Sequence, residues 1–195
     1  MDPDGIARSV AAWESMLPLY WRGFPCQQFS SDMWRYAEVV HKLRPPWVLE
    51  CGTAGGGTAL FLADMMAWSA GGHVISIDSD PRPVAVAHPR LTLLKGDAAS
   101  PETAARVKEL TGGGRGVVLL DDNHSCAQVL AELDVWAPMA DYLIVQGTLI
   151  VYLPQYPDNP RQAVEKWLPG HPEFVQDPEP SPTNHPGGWL RRVAG

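Results

Sequence analysis

The sequence predicts an α/β fold built on a doubly wound, Rossmann-like parallel sheet. Short apolar stretches alternate along the chain with longer segments in which apolar residues recur at helical spacing. The apolar stretches are continuous, as expected for strands that helices cover on both faces. A glycine-rich turn over residues 50–58 joins the first of these strands to the next helix, an arrangement typical of ligand-binding α/β proteins.

Strands and helices can be assigned in order along the chain. Asp32 is expected to cap a helix over residues 33–43, and Pro45 and Pro46 end that helix because the residue before a proline disfavours helical geometry. Strands are predicted over residues 47–51, 73–78, 91–94, 117–121 and 142–145. Helices are predicted over residues 58–69, 101–110, 127–136 and 163–168, and a hairpin pairs residues 173–176 with 189–193.

The predicted organisation is one domain that follows an extension. Residues 1–46 form a helical N-terminal extension, and residues 47–195 form the sheet-containing domain. Two irregular, proline-rich segments, residues 151–159 and 178–186, interrupt the later elements. Loops of this kind at the carboxyl edge of a sheet often cover a ligand, so both segments are predicted to be lids.

Composition narrows the classes of partner. The formal net charge of −7 argues against nucleic acid and an anionic membrane as main partners, because both require a basic face. The widely spaced Cys26, Cys51 and Cys126 predict neither a disulfide framework nor a zinc site. The N-terminus lacks the apolar core of a signal peptide, and no apolar stretch is long enough to span a membrane. We expect a cytoplasmic protein with a small-molecule substrate, whose N-terminal aromatic residues could line a contact in a homo-oligomer.

The glycine-rich turn is the strongest local signal. Glycines allow a tight turn and the close approach of a ligand, and the following helix offers free N–H groups at its N-terminus. The spacing does not match the dinucleotide fingerprint. Glu50 stands at the end of the strand, where a carboxylate can hold a ligand ammonium group. The alternative is a tight turn that binds no ligand.

Acids also end the next two strands. Asp78 ends the strand over residues 73–78, a point where an acid commonly binds the hydroxyl groups of a ribose. The alternative for Asp78 is a turn-forming aspartate. Asp97 ends the third strand and is expected either to contact an adenine amino group or to cap the following helix.

Four polar residues, Asp121, Asp122, Asn123 and His124, follow the fourth strand. This strand end lies at the ligand edge of the predicted sheet, so the cluster is a candidate reaction centre. His124 can act as a general base near neutral pH, with Asp121 or Asp122 orienting its ring. The alternative is a histidine at a helix start that backbone groups satisfy. His185 is the competing candidate for the base, because its loop could fold over the site.

These motifs together resemble the cephalosporin hydroxylase/rhamnosyl O-methyltransferase family, a branch of the class I S-adenosylmethionine-dependent methyltransferases. The similarity runs over most of the chain, and the order of the motifs is more specific than any one of them. The matching segments are Trp21-Arg22-Gly23, Asp32-Met33-Trp34, Glu50 to Thr58, Ile75-Ser76-Ile77-Asp78, Gly96-Asp97, Leu120 to His124 and Pro186-Gly187-Gly188-Trp189-Leu190.

The resemblance implies a seven-stranded methyltransferase sheet and methyl transfer from S-adenosylmethionine to a hydroxyl group of a sugar or small secondary metabolite, as in antibiotic biosynthesis. In this reaction His124 is expected to remove the hydroxyl proton, with Asp121 or Asp122 orienting its ring. One alternative is a methyltransferase-fold cyclase or isomerase of natural-product biosynthesis that has lost methyl transfer, and another is a non-catalytic partner protein. The residues implied to hold the cofactor are Glu50, Gly52, Thr53, Gly56, Asp78, Asp97 and Asp121.

Members of this family can also hold Mg²⁺ beside the substrate hydroxyl group. The resemblance implies ligands at Asp121 and at two acids after the fifth strand, where this chain has Gln146 and Gly147. One carboxylate is a poor site for a hard cation, so we expect weak or absent Mg²⁺ binding. On this basis Gly147→Asp is expected to raise the metal affinity.

Overall fold

The computed structural model of the protein describes Gly5 and residues 19–80, 85–149, 157–178 and 183–193. The strands in these ranges are β1 (Leu19–Trp21), β2 (Phe24–Cys26), β3 (Trp47–Cys51), β4 (His73–Asp78), β5 (Leu91–Lys95), β6 (Gly116–Leu120), β7 (Ala140–Val145), β8 (Phe174–Gln176) and β9 (Trp189–Arg192). The α-helices are α1 (Ser30–Leu43), α2 (Gly57–Met65), α3 (Pro101–Thr111), α4 (Cys126–Trp136) and α5 (Pro160–Trp167). One π-helical turn, Met66–Ala70, extends α2.

Seven of these strands form one sheet in the order β5-β4-β3-β6-β7-β9-β8. The strands from β3 to β7 are parallel, whereas β9 runs antiparallel to both β7 and β8. The strand order reverses between β3 and β6, and in open α/β sheets this reversal creates a crevice at the carboxyl ends of the strands. The predicted doubly wound, seven-stranded sheet is confirmed.

Helices cover both faces of this sheet, as its continuous apolar strands predicted. Every residue of β3 and β6 is buried. Successive side chains of a strand point to opposite faces, so Leu49 packs in a core with side chains of α4 and α5, and Val48 packs in a second core with side chains of α1 and α2. Burying one such side chain contributes about 1.5–3 kcal/mol, so both faces stabilise the strands that carry the site.

The predicted elements are present, with bounds that shift by at most about three residues. The strands over residues 47–51 and 73–78 are confirmed with their predicted bounds. The helix predicted over residues 58–69 is α2 with its π-helical turn, and Gly71 ends it in the left-handed conformation. The C-terminal hairpin is confirmed as the antiparallel pair β8–β9.

Asp32 does not cap α1, contrary to the prediction. The helix begins at Ser30, and Phe29 before it supplies no capping side chain. Asp32 is buried in the first turn, where its carboxylate accepts hydrogen bonds from the Thr183 hydroxyl and from the backbone N–H of Asn184, the latter at 2.9 Å. The acid therefore joins α1 to the C-terminal loop of residues 183–185.

Residues 19–26 form a short antiparallel hairpin in the region that was predicted to be a helical extension. Its strands pair over three residues each, and Arg22 and Gly23 between them have positive φ. Trp21 packs edge-on against Phe61 of α2, and its indole N–H donates to the Asp64 carboxylate at 2.8 Å. The division of the chain at residue 46 stays a prediction.

An open apolar groove of about 760 Å³ lies between the hairpin, α1 and α2. Tyr20, Trp34 and Trp68 line it and are largely exposed. That N-terminal aromatic residues line a contact between subunits stays a prediction. In the described part of the chain, no helix has the length and apolar character needed to cross a membrane. The predicted lids fall largely outside the described residues, at 151–156 and 179–182.

Candidate active site

The glycine-rich turn brings the backbone of β3 against that of the residue after β6. Gly52 has a φ of +99°, and a Cβ atom at this position would lie 2.3 Å from the carbonyl oxygen of Asp121. Gly56 precedes α2 with a φ of +78°. Only glycine combines these conformations with so close an approach. The N-terminus of α2 therefore lies at the same crevice as Asp121, where it can accept an anionic group of a ligand.

Glu50 is buried at the end of β3, where neutral groups contact its carboxyl. The Ser76 hydroxyl donates to Glu50 Oε2, and the Thr53 hydroxyl lies 2.7 Å from the Ser76 oxygen. The pKa of Glu50 is raised to about 8, mainly by burial; the Ser76 hydrogen bond lowers the pKa and the nearby Asp78 raises it. A ligand ammonium group would favour the ionised form, so Glu50 is suited to bind one.

Asp78 lies at the end of β4, and its carboxylate accepts hydrogen bonds from two backbone segments. Its Oδ2 accepts from the backbone N–H of Ala54 in the glycine-rich turn at 3.1 Å. Its Oδ1 accepts from the N–H of Asp80 at 2.9 Å, so the turn-forming role considered for it is present. Binding of ribose hydroxyl groups by Asp78 stays a prediction.

Asp97 is exposed after β5 and does not cap the next helix. Its Oδ1 accepts from the backbone N–H of Ala99 at 2.9 Å. The cap of α3 is Ser100, whose hydroxyl accepts from the N–H of Thr103 at 3.1 Å. The helix-cap interpretation of Asp97 is therefore wrong, and contact with an adenine amino group stays a prediction.

Asp121 lies at the crevice between β3 and β6, and two side-chain amides hold its carboxylate. Gln28 Nε2 donates to Oδ2 at 2.7 Å. The amide nitrogen of Gln146, in the orientation that its neighbours require, donates to the two carboxylate oxygens at 3.2 Å. Burial and the Glu50 carboxyl raise the pKa of Asp121, whereas the Gln28 hydrogen bond lowers it.

His124 lies beside Asp121 at the same edge of the sheet. Its Nε2 is 3.8 Å from Asp121 Oδ1, and about 35% of its side chain is exposed. Burial lowers the pKa of His124 below its ordinary value of 6.5, and His185 lowers it further. The imidazole is therefore neutral near pH 7, the form that can accept a proton.

Acidic side chains are concentrated around this crevice. Burial raises the pKa of Asp122, and the neighbouring Asp78 and Asp97 add to this shift. Clustered acids favour a ligand that carries positive charge. S-adenosylmethionine carries a sulfonium and an ammonium group, so its charges match this surface.

His185 cannot compete with His124 as a base that touches the acceptor. The ring is fully buried. Its Nδ1 accepts from the backbone N–H of Gly147 at 3.1 Å, and its Nε2 lies 2.7 Å from the Tyr36 hydroxyl. Both ring nitrogens are therefore occupied by protein groups.

Two residues of the site, Gln28 and Tyr36, were not predicted. Gln28 is 93 residues away from Asp121 in the chain, and Tyr36 donates to Gln28 Oε1 at 2.9 Å. No spacing rule connects residues that only the tertiary fold brings together. The one nearby signal was the Asp32-Met33-Trp34 motif of the resemblance.

The residues at the implied Mg²⁺ position do not fit that ion. Two amides already hold the Asp121 carboxylate, and Gly147 has no side chain. The His124 ring fills the space beside Gly147, where a Cβ atom would lie 2.6 Å from His124 Cδ2. Across the described ranges, no group of three or more His, Cys, Asp or Glu side chains could hold a metal ion.

We expect Mg²⁺ at millimolar concentration to give no calorimetric signal with the wild-type protein, because a hard cation needs several oxygen ligands. A chelator should leave turnover unchanged. Gln146→Glu adds a carboxylate beside Asp121 and should make Mg²⁺ binding measurable.

Gly147→Asp is a poorer variant than the sequence suggested, because φ is +69° and its side chain would displace His124. The expectation that the wild-type protein does not bind Mg²⁺ would be contradicted if a chelator abolished turnover and Mg²⁺ restored it.

Comparison with known proteins identifies related sequences over nearly the whole chain. The sequence profile described as Rhamnosyl O-methyltransferase/CmcI matches residues 14–193. The rhamnosyl O-methyltransferase of Mycobacterium leprae (strain TN) is 32% identical over 158 residues, which cover 75% of this chain and 69% of that protein.

Solved structures show the same architecture. CmcI with Mg and SAM has a TM-score of 0.69 at 22% identity, covering 90% of this chain and 77% of that chain. A TDP-rhamnose 3'-O-methyltransferase of calicheamicin biosynthesis has a TM-score of 0.57 at 14% identity, covering 85% and 77% respectively. At these identities the structures establish a shared fold.

Proposed function

The chain belongs to the rhamnosyl O-methyltransferase/CmcI family, and from this premise we propose that it transfers the methyl group of S-adenosylmethionine to a hydroxyl group of a rhamnose-like sugar. The family confirms the enzyme class and the cofactor that the sequence predicted. The sugar acceptor is inferred from the name of the related enzymes. The observation that supports the assignment of the site is the close approach of Gly52, in the glycine-rich turn, to Asp121, beside which His124 lies.

The proposed reaction requires alignment and one proton acceptor. The acceptor oxygen forms a bond to the methyl carbon as the bond from that carbon to sulfur breaks, and the electron pair of the broken bond stays on sulfur. The hydroxyl proton passes to the neutral His124 ring, which is within ion-pair distance of Asp121 once protonated. Holding the reactants in line supplies much of the acceleration in such a transfer.

The cofactor contacts are proposals that follow from the same arrangement. The ammonium group would meet the Glu50 carboxyl, and the ribose hydroxyl groups would meet Asp78. Asp97 lies at the neighbouring strand end, where an adenine amino group could reach it. These acids account for the ammonium, ribose and adenine portions of the cofactor and leave Asp121 and Asp122 for the reacting end.

Incubation with S-adenosylmethionine and rhamnose-bearing acceptors tests the proposed function. Free rhamnose, TDP-rhamnose and an aglycone-linked rhamnoside should be compared, and at least one should yield S-adenosylhomocysteine and a singly methylated sugar. Conversion of an acceptor without S-adenosylhomocysteine would favour the cyclase or isomerase alternative. Absence of binding of either cofactor form to folded protein would overturn the proposal.

A further inference from the structure

A chain of buried polar side chains leads from the C-terminal loop to Asp121. It runs from His185 Nε2 to the Tyr36 hydroxyl at 2.7 Å, from Tyr36 to Gln28 Oε1 at 2.9 Å, and from Gln28 Nε2 to Asp121 Oδ2 at 2.7 Å. His185 and Tyr36 are essentially inaccessible, and Gln28 is buried. Such a chain costs desolvation, so its members must be fully hydrogen-bonded, and here each has a partner on both sides.

The direction of every hydrogen bond in this chain is determined from one end. The N–H of Gly147 donates to His185 Nδ1, so the proton of the neutral ring lies on Nε2 and points to the Tyr36 oxygen. Tyr36 must then donate to the Gln28 oxygen, which turns the Gln28 N–H group toward Asp121. The amide can adopt only one orientation without losing a hydrogen bond.

The loop that carries His185 is itself anchored by a buried acid. Asp32 accepts from the Thr183 hydroxyl and from the N–H of Asn184. The indole N–H of Trp189 also donates to the Thr183 hydroxyl oxygen at 3.2 Å. These hydrogen bonds connect α1, the 183–185 loop and β9, and so hold the His185 ring in place.

We propose that Tyr36 and His185 are positioning residues for methyl transfer: through Gln28 they hold the Asp121 carboxylate at the reacting end of the cofactor, in the role that a bound cation would otherwise fill. The inference rests on the proposed function. Because the Gln28 amide does not pass a proton along, this series of hydrogen bonds orients Asp121 and does not conduct protons.

These hydrogen bonds matter because they determine which atom of the Gln28 amide faces Asp121. Gln28 and Gln146 both present amide N–H groups to the carboxylate oxygens, an arrangement that suits the carboxylate anion. An N–H donor stabilises the carboxylate anion, whereas an inverted Gln28 would present its oxygen and favour the protonated acid. A held, ionised Asp121 favours the sulfonium cofactor over its neutral thioether product.

The affinity ratio of S-adenosylmethionine to S-adenosylhomocysteine tests the proposal without an acceptor. Calorimetry should show that Tyr36→Phe lowers this ratio by about threefold or more, because Gln28 then loses one of the donors that hold its oxygen away from Asp121. Tyr142→Phe is the matched control, since the Tyr142 hydroxyl also donates from a buried position, to Asp177 at 2.7 Å, away from the crevice. It should leave the ratio unchanged.

Gln28→Ala provides a second variant if Tyr36→Phe does not fold, and it should lower the ratio at least as much. A merely structural role would weaken both ligands equally and leave the ratio unchanged, which would overturn the proposal. A lowered ratio in a protein that methylates no acceptor would instead support the positioning of Asp121 at the bound cofactor and overturn the proposed function. If the wild-type protein binds neither ligand, both the positioning role and the proposed function are wrong.

Discussion

Replacement of His124 by alanine is expected to slow methyl transfer about a hundred- to ten-thousand-fold, the usual effect of losing a general base. The implied cation does not fit at Asp121, so no metal is expected to acidify the acceptor hydroxyl group, and its proton must pass to a side chain. His124 is half-buried, neutral near pH 7 and located at the crevice. Single-turnover formation of S-adenosylhomocysteine measures the rate, and calorimetry should show nearly unchanged cofactor affinity.

The pH dependence provides an independent check on this assignment. The pKa of His124 is below its ordinary value of 6.5, so wild-type turnover at saturating cofactor should fall only at acidic pH, as the ring becomes protonated. His124→Ala should lose this acid limb together with the rate. His41→Ala, which removes an exposed ring on α1, is the matched control and should behave as wild type. Normal turnover in His124→Ala would show that another group takes the proton.

The sheet could be predicted from the sequence because its signals are local. β3 and β4 are short, mainly apolar stretches buried by helices on both faces, so their apolar residues and the acids near their ends predicted their bounds. The glycine-rich turn was equally readable, because Gly52 and Gly56 adopt conformations that other residues rarely tolerate. Each of these features depends on a few consecutive residues.

The parts that were missed depend on contacts between distant segments. Asp32 has the right position for a helix cap, but its carboxylate instead holds the loop at Thr183, about 150 residues later. Gln28 precedes α1 without any distinctive pattern and becomes part of the site only when β6 places Asp121 above it. The β1–β2 hairpin has strands of three residues, too short for a periodic signal.

Glu50 is expected to make binding of S-adenosylmethionine depend on pH, with the highest affinity near pH 8. The pKa of Glu50 in the ligand-free protein is about 8, so below this pH the carboxyl is mostly protonated. The ligand ammonium favours the ionised carboxylate, so binding releases a proton and the affinity rises by up to about tenfold per pH unit. Above pH 8 the α-amino group of the ligand, with an ordinary pKa of about 7.7–8.0, loses its own proton.

Glu50→Gln should remove this pH dependence and weaken binding at pH 8 by about 1.5–3 kcal/mol, the range for a hydrogen bond to a charged group. The amide keeps the size of the side chain and can still accept from the Ser76 hydroxyl. Glu132→Gln is the matched control, because Glu132 is also a buried carboxyl, with a pKa raised by burial to about 7. Calorimetry at several pH values should show a flat profile for Glu50→Gln only. An unchanged slope would assign the ammonium group to another acid.

The proton that Glu50 carries in the ligand-free protein also affects the stability of the fold. The pKa of Glu50 is about 8 in the folded state against an ordinary value of 4.5, so the folded state retains a proton that the unfolded chain loses as pH rises. The free energy of unfolding should therefore decrease between about pH 4.5 and pH 8, by up to about 1.4 kcal/mol per pH unit from this group. Urea denaturation should show Glu50→Gln to be more stable than wild type at pH 8 although it binds the cofactor less tightly. A destabilised variant at pH 8 would mean that the carboxylate has a stabilising partner in the free protein, and the role of Glu50 as a binding group held ready for an ammonium ion would then be wrong.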